Sequence, residues 1–261
     1  MEAALWVAKT GLDAQQTRMT VIANNLANVN TTGFKRDRAT FEDLLYQNVK
    51  QGGAQTSADT AAPTGLLLGT GTRVVATEKL HAQGNIIQTQ NAFDVAISGE
   101  GFFQILQPDG TLAYSRDGGF KISAEGVLVN SSGYRLQPEL AIPQNAQTVT
   151  IGADGTVSIQ TFGEAAAQTI GQIQVARFLN PSGLQAIGEN LFRETSSSGP
   201  PQGGIPTQQG NGQLIQGALE SSNVNVVEEM VNMIETQRAY EVNSKAIDSV
   251  NSMLQYANNN L

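Results

Sequence analysis

A chain of 261 residues carries 15 Lys and Arg, 23 Asp and Glu, one His and no Cys, for a formal net charge of −8. Zero Cys excludes disulfides, thiolate nucleophiles, zinc–thiolate sites and iron–sulfur ligation, and a single His excludes a multi-histidine metal site, so no metal or cofactor is expected. The acidic balance argues against nucleic acid as a partner, since a phosphate-backbone binder carries a basic face or stripe.

Only 15% of the residues are charged, against about 25% in an average globular domain. Uncharged amides, 25 Gln and 20 Asn, supply the polarity instead. His81 lies in Glu78-Lys-Leu-His-Ala-Gln-Gly84 with no Gly-x-Ser-x-Gly elbow in the chain, so it reads as a surface or strand-end histidine and not as part of a Ser-His-Asp triad. No apolar run reaches the ~20 residues of a membrane-spanning helix, so no membrane insertion is expected. The start, Met1-Glu-Ala-Ala-Leu-Trp-Val-Ala-Lys9, lacks the basic and apolar regions of a cleavable secretory signal, so any export is expected to proceed without clipping.

From residue 3 to 29 there is one Gly and no Pro, and apolar residues recur every seven positions: Leu5, Leu12, Met19 and Leu26, with Ala8, Gln15, Ile22 and Val29 three later. That 3.5-residue average is the coiled-coil period, and the helix is expected to run about 40 Å. Its exit reads Asn24-Asn-Leu-Ala-Asn28-Val-Asn30-Thr-Thr-Gly33-Phe34-Lys-Arg36, rich in residues that tolerate the left-handed conformation. Residues 47–71 are Gly/Ala/Thr-rich with little periodicity. Next comes β-texture, short apolar alternations punctuated by Pro108-Asp-Gly, Asp117-Gly, Glu125-Gly, Ser132-Gly and Asp154-Gly. These turn signals predict a meander or small β-domain, with strands near 93–97, 102–106, 111–115, 127–129, 134–137, 148–151, 156–160, 170–179 and 190–194. Residues 195–213 are a loop by composition.

The C-terminal stretch repeats the heptad more fully. Val226, Met233, Tyr240, Ile247, Leu254 and Leu261 are each seven apart, reinforced by Val227, Met230, Ile234 and Val250. A helix over 223–258, about 54 Å long and capped at Ser221, Ser222 or Asn223, is predicted. Its neighbouring seam, Gln237, Ser244 and Asn251, is polar. So thin an apolar stripe offsets little ordering entropy, which predicts end helices that order on assembly. The expected fold class is α+β, with the N- and C-terminal helices pairing as an antiparallel coiled coil around a central mostly-β domain and an extended connector.

The segment Asn24–Lys35 resembles the N-terminal signature of the rod and hook axial proteins of the bacterial flagellum, and Glu220–Ala246 resembles their C-terminal one. The resemblance is nearest to members of the distal rod, in Leu5–Thr17, Phe41–Tyr46, Asp94–Phe103 and Ile187–Leu191, and it spans nearly the whole chain. It implies a subunit that polymerises helically into a rigid shaft carrying torque from motor to hook. On this view residues 1–34 and 220–261 form the inner tube wall around an export channel. Residues 35–90 are a connector with a stiffening insertion near 47–71, 91–195 the outward β-domain, and 196–219 a return loop.

The implied partners are further copies of the chain, proximal rod and hook proteins, surrounding bushing rings and the flagellar type III export apparatus, which delivers the subunit uncleaved to a rod crossing the periplasm. The assembly-interface residues are then Leu5, Leu12, Met19, Ile22 and Leu26, the motif residues Asn24, Asn25, Asn28, Asn30, Gly33 and Phe34, and Val226, Met233, Arg238, Tyr240, Ile247 and Leu254. Another axial subunit, hook or proximal rod, is the neighbouring alternative. A remote one is a wall-acting hydrolase using two of Asp109, Asp117, Glu125 and Asp154, but these mostly precede Gly in turns, where Asp is chosen for backbone reasons.

Overall fold

The computed structural model describes every residue except Met1, Ala54, Ala58, Asp59, Ala62, Pro63, Gly163, Glu164, Ala165, Asn260 and Leu261. It is α+β, with helices at the two ends of the chain and strands between. The chain divides into two compact units. One comprises residues 1–27, 37–78 and 225–261, the other residues 28–36 and 79–224.

In the first unit, α1 (Glu2–Ala27) and α2 (Val226–Asn259) account for most of the chain. They run side by side in opposite directions: Gly11 faces Asn243, and Arg18 faces Asn232. The cap of α2 differs from the expectation. Asn225 performs it, its Oδ1 accepting the N–H of Val227 at 3.0 Å and of Glu228 at 3.4 Å. Ser222 turns to Val224 and Asn223 to other backbone instead.

Extended structure in this unit begins earlier than the β-texture suggested. Asp37–Asp43 pairs with Thr72–Lys79, and Tyr46–Lys50 runs antiparallel to Leu66–Gly69 with Tyr46 opposite Gly69. The weak alternation of 47–71 has a physical reason: both faces of the Tyr46–Lys50 ribbon are exposed, so no buried face imposes a period of two. Leu261, the last heptad position, lies outside the described residues.

The second unit holds the core. Phe102–Leu106 is central to its largest sheet, pairing with Leu112–Ser115, Arg135–Gln137 and Val175–Arg177. Successive side chains of this strand serve two cores, as a two-residue period requires. Phe103 and Ile105 enter a cluster with Val95, Ile97, Phe120, Leu128 and Val175. Phe102 enters a smaller one with Tyr114, Phe178 and Phe192. Each such buried side chain contributes about 1.5–3 kcal/mol over an exposed one.

The expected strands are found to within two residues, except that 170–179 is two strands, Gln168–Gln172 and Val175–Arg177. Part of the compositional loop 195–213 is also strand: Gln202–Gly204 pairs with Val175–Arg177. Hydrogen bonding to a neighbour there overrides a sequence with no β-propensity.

Candidate functional site

The face of α1 marked by the heptad is its inward face. Ile22 is buried, and Leu5, Leu12, Met19 and Leu26 are half-buried, with Ala14 buried beside them. On α2 the apolar seam divides. Met233, Ile247, Leu254 and Val250 are half-buried, while Val226, Val227, Met230, Ile234, Arg238 and Tyr240 are exposed. The seam turned furthest inward is one that apolar periodicity does not reveal. It runs through Glu229, fully buried Thr236, Asn243, Val250 and Ala257, again seven apart.

Small and polar groups let the helices approach there. Asn243 fits because Gly11 has no side chain; a Cβ at Gly11 would sit 3.0 Å from Asn243 Nδ2. Thr236 Oγ1 donates to the Asn232 carbonyl at 2.7 Å, which satisfies its buried hydroxyl inside its own helix. Arg18 reaches Asn232 Oδ1 at 3.5 Å and Glu235 at 4.0 Å, exposed contacts worth about 0–1 kcal/mol.

The asparagines after α1 have individual tasks. Buried Asn25 forms a two-point clasp on Asp37: its Oδ1 accepts the Asp37 N–H at 2.8 Å and its Nδ2 donates to the Asp37 carbonyl at 2.9 Å. Exposed Asn24 donates to the Asp37 carboxylate at 3.3 Å. Asn28 accepts from the Thr31 hydroxyl at 3.2 Å, and Asn30 is exposed. Gly33 has φ +68° and is buried, its N–H donating to the Glu220 carbonyl at 2.8 Å. Only glycine fits, because a Cβ would lie 2.6 Å from the Asp117 nitrogen. Phe34 presents its ring to the Lys79 ammonium, 4.9 Å from the centroid.

Beside this segment, inside the β-rich unit, is a buried charge cluster that sequence patterning missed. Lys35 and Glu220 side chains are fully buried and pair at 2.6 Å. Lys35 Nζ also donates to the Ala82 carbonyl at 2.8 Å, and Glu220 Oε1 accepts the Gly84 N–H at 2.8 Å. Arg116 donates to the Gly101 and Gly99 carbonyls at 2.7 and 2.8 Å. Its Nε lies 3.1 Å from Glu220 Oε2, an ion pair off the hydrogen-bonding line.

Burial presses the Lys35 ammonium below its ordinary pKa against the pull of Glu220. The signal available in sequence was the co-occurrence of Lys35 in one terminal motif with Glu220 at the start of the other. His81 stands two residues past the end of the strand Thr72–Lys79, as a strand-end histidine, and is half-buried, with its ring edge-on to Phe102 and Phe192 at 5.5 and 5.4 Å. Burial first, then the charges of Lys35, Arg116 and Lys79, lower its pKa to about 4, against a smaller upward pull from the Pro181 backbone.

The carboxylates weighed for hydrolysis are occupied by turns. Asp109 and Asp154 each accept from the hydroxyl and N–H two residues on, Glu125 accepts from Ser123, and Asp117 accepts from Thr32 and Gly119. These bonds pull Asp109, Glu125 and Asp154 below their ordinary pKa, opposite to the raised pKa of a glycosidase acid. Among the described residues no cluster of acidic and histidine side chains could hold a metal ion, and no helix is long and apolar enough to cross a membrane.

Three stretches of the chain match known families. Residues 5–35 match the flagella basal body rod protein, residues 96–159 the D1 domain of flagellar hook protein FlgE/F/G, and residues 215–260 the C-terminal region of flagellar basal body rod FlgEFG protein. The chain is 54% identical over 252 residues to the flagellar basal-body rod protein FlgG of Buchnera aphidicola subsp. Schizaphis graminum, which covers 97% of each chain. It is 49% identical over 261 residues to FlgG of Borreliella burgdorferi, 99% of this chain and 98% of that one. Against FlgG of Bacillus subtilis it is 38% identical over 257 residues. With matches at both ends and in the middle, and identity to basal-body rod proteins sustained over full length, the chain belongs to the flagellar rod and hook protein family and is a structural component of the basal-body rod, not an enzyme.

Proposed function

We propose that the chain polymerises helically into the rigid distal part of the flagellar rod, with α1 and α2 as an antiparallel coiled coil lining the export channel. The observation that carries this reading is an imbalance between the two units. Of 24 exposed large apolar side chains among the described residues, 19 belong to the unit of α1, α2 and residues 37–78, whereas both apolar core clusters lie in the other. Among the described residues of the helical unit, only Ala14 and Ile22 are buried apolar residues.

A unit that exposes Trp6, Leu45, Val227, Val231, Ile234 and Val242 while burying so little gains its stability from surfaces that cover it. Copies of the chain itself supply those surfaces in a polymer built by heterologous contacts. The exposed Tyr46–Lys50 and Leu66–Gly69 ribbon adds to the same surface and is the insertion that stiffens the shaft.

The interface residues on this reading are Leu5, Leu12, Met19, Ile22, Leu26, Val226, Met233, Arg238, Tyr240, Ile247 and Leu254, together with the Asn24–Phe34 segment. The shaft transmits torque across the periplasm inside its bushing rings, between proximal rod and hook, after type III export. Electron microscopy of purified protein at rising concentration tests this. Straight, stiff filaments are expected; curved, flexible ones mean a hook-type subunit, and a monomer at all concentrations overturns the assembly reading.

A further inference from the structure

The β-rich unit joins the rest of the chain at four peptide bonds, 27/28, 36/37, 78/79 and 224/225. Each alone is a single covalent passage with soft φ and ψ. Inside the β-rich unit, one amide side chain ties three of the chain ends that lead to these passages. Asn223 Oδ1 accepts the Arg36 N–H at 2.8 Å, and its Nδ2 donates to the Leu80 carbonyl at 2.8 Å and the Ala82 carbonyl at 3.0 Å. Both donor hydrogens and the acceptor are used, a combination no hydroxyl or carboxylate offers.

Further bonds close the same knot. The Leu80 N–H donates to the Arg36 carbonyl at 2.9 Å, and Lys79 Nζ reaches the Lys35 carbonyl at 3.4 Å. The short segment 28–36, which contains the fourth end, is pinned at Gly33 and Lys35 to Glu220.

We infer that Asn223 is a positioning residue of the shaft: it makes three of the four exits from the β-rich unit move as one, beside the fourth that Glu220 pins, so that load cannot be absorbed by separate swivelling of single strands. The inference rests on the assembly reading above and adds to it a residue responsible for stiffness, as distinct from residues responsible for association.

Asn223→Ala and Asn223→Asp in the full-length chain test it by two readouts, hydrogen exchange of the soluble subunit and the persistence length of polymers in electron micrographs. In Asn223→Ala the Arg36 amide is expected to exchange about tenfold faster, with Ile105 and Val175 as protected as before. Polymers are expected to form but to bend, with a shorter persistence length than wild type. Asn223→Asp keeps the acceptor for Arg36 and loses both donated bonds, so exchange at Arg36 stays slow while polymers still soften.

Unchanged persistence length in both variants overturns the inference. So does softening accompanied by loss of protection at Ile105 and Val175, which makes Asn223 a folding residue only. A wild-type chain that forms no polymer removes the assembly reading and this inference with it, whereas failure confined to the variants' persistence length leaves the assembly reading standing.

Discussion

His81, the one histidine of the chain, makes the stability of the β-rich unit depend on pH in a defined window. In the folded protein its ring is neutral between Phe102 and Phe192, with a pKa lowered from 6.5 to about 4 by burial and by Lys35, Arg116 and Lys79. Glu220 is the carboxylate of that cluster, and both Lys35 and Arg116 already use it. Above pH 6.5 the ring is neutral in both states and contributes no pH dependence. Between 6.5 and about 4 the unfolded chain binds the proton and the folded one does not, so stability falls as pH falls. At 1.36 kcal/mol per tenfold of proton affinity, the full effect is about 3 kcal/mol by pH 4.

His81→Leu keeps the apolar environment filled and removes the titration. Urea unfolding of both proteins from pH 7.5 to 4, followed by near-ultraviolet circular dichroism, is expected to show wild type losing about 3 kcal/mol more than the variant. Taking the difference cancels the carboxylates, which titrate in both. The lone imidazole signal in NMR reports its pKa directly. Parallel stability profiles, or an imidazole titrating near 6.5 in the folded protein, refute the reasoning.

Glu220→Gln leaves Lys35 and Arg116 buried without their counter-charge and is expected to cost about 3–5 kcal/mol, read as a drop in the melting temperature of the β-rich unit. Ile105→Ala opens a cavity in a fully closed core and is expected to cost about 2–5 kcal/mol in the same melt. Leu12→Asp and Ile247→Asp place an unpaired charge in the half-buried helix seam; polymerisation is expected to stop while that melting temperature holds, and normal sedimentation as polymer would count against the seam. Gly33→Ala forces a Cβ against the Asp117 backbone at a positive φ, so a loss above about 1 kcal/mol is expected on chemical denaturation.

Much of the fold was legible because it follows from local chemistry. The two helices show in their heptads to within three residues at each end, and the strand Phe102–Leu106 is read from Phe-Phe-Gln-Ile-Leu ahead of Pro-Asp-Gly. The parts that were not legible depend on partners far along the chain. Gln202–Gly204 is a strand only because Val175–Arg177 lies beside it. The inner seam of α2 hides in Glu229, Thr236 and Asn243, polar residues that an apolar period cannot detect. His81 shows the same limit: nothing in Leu80-His-Ala82 announces two phenylalanine rings contributed from residues 102 and 192. The terminal motifs were visible as motifs, but that Lys35 meets Glu220 across 185 positions was not.

The shortage of charge acquires a different meaning from the clasps of Asn25 and Asn223. Neutral amides joined to backbone carbonyls and N–H groups carry no net charge for mobile ions to shield, whereas attraction between exposed charges is screened by salt, with a Debye length of about 8 Å at physiological ionic strength. The joints that set the path of this chain are therefore nearly indifferent to salt. If the chain assembles as proposed, the stiffness of its polymer is expected to change little with ionic strength, which electron micrographs of polymers grown at low and high salt would check.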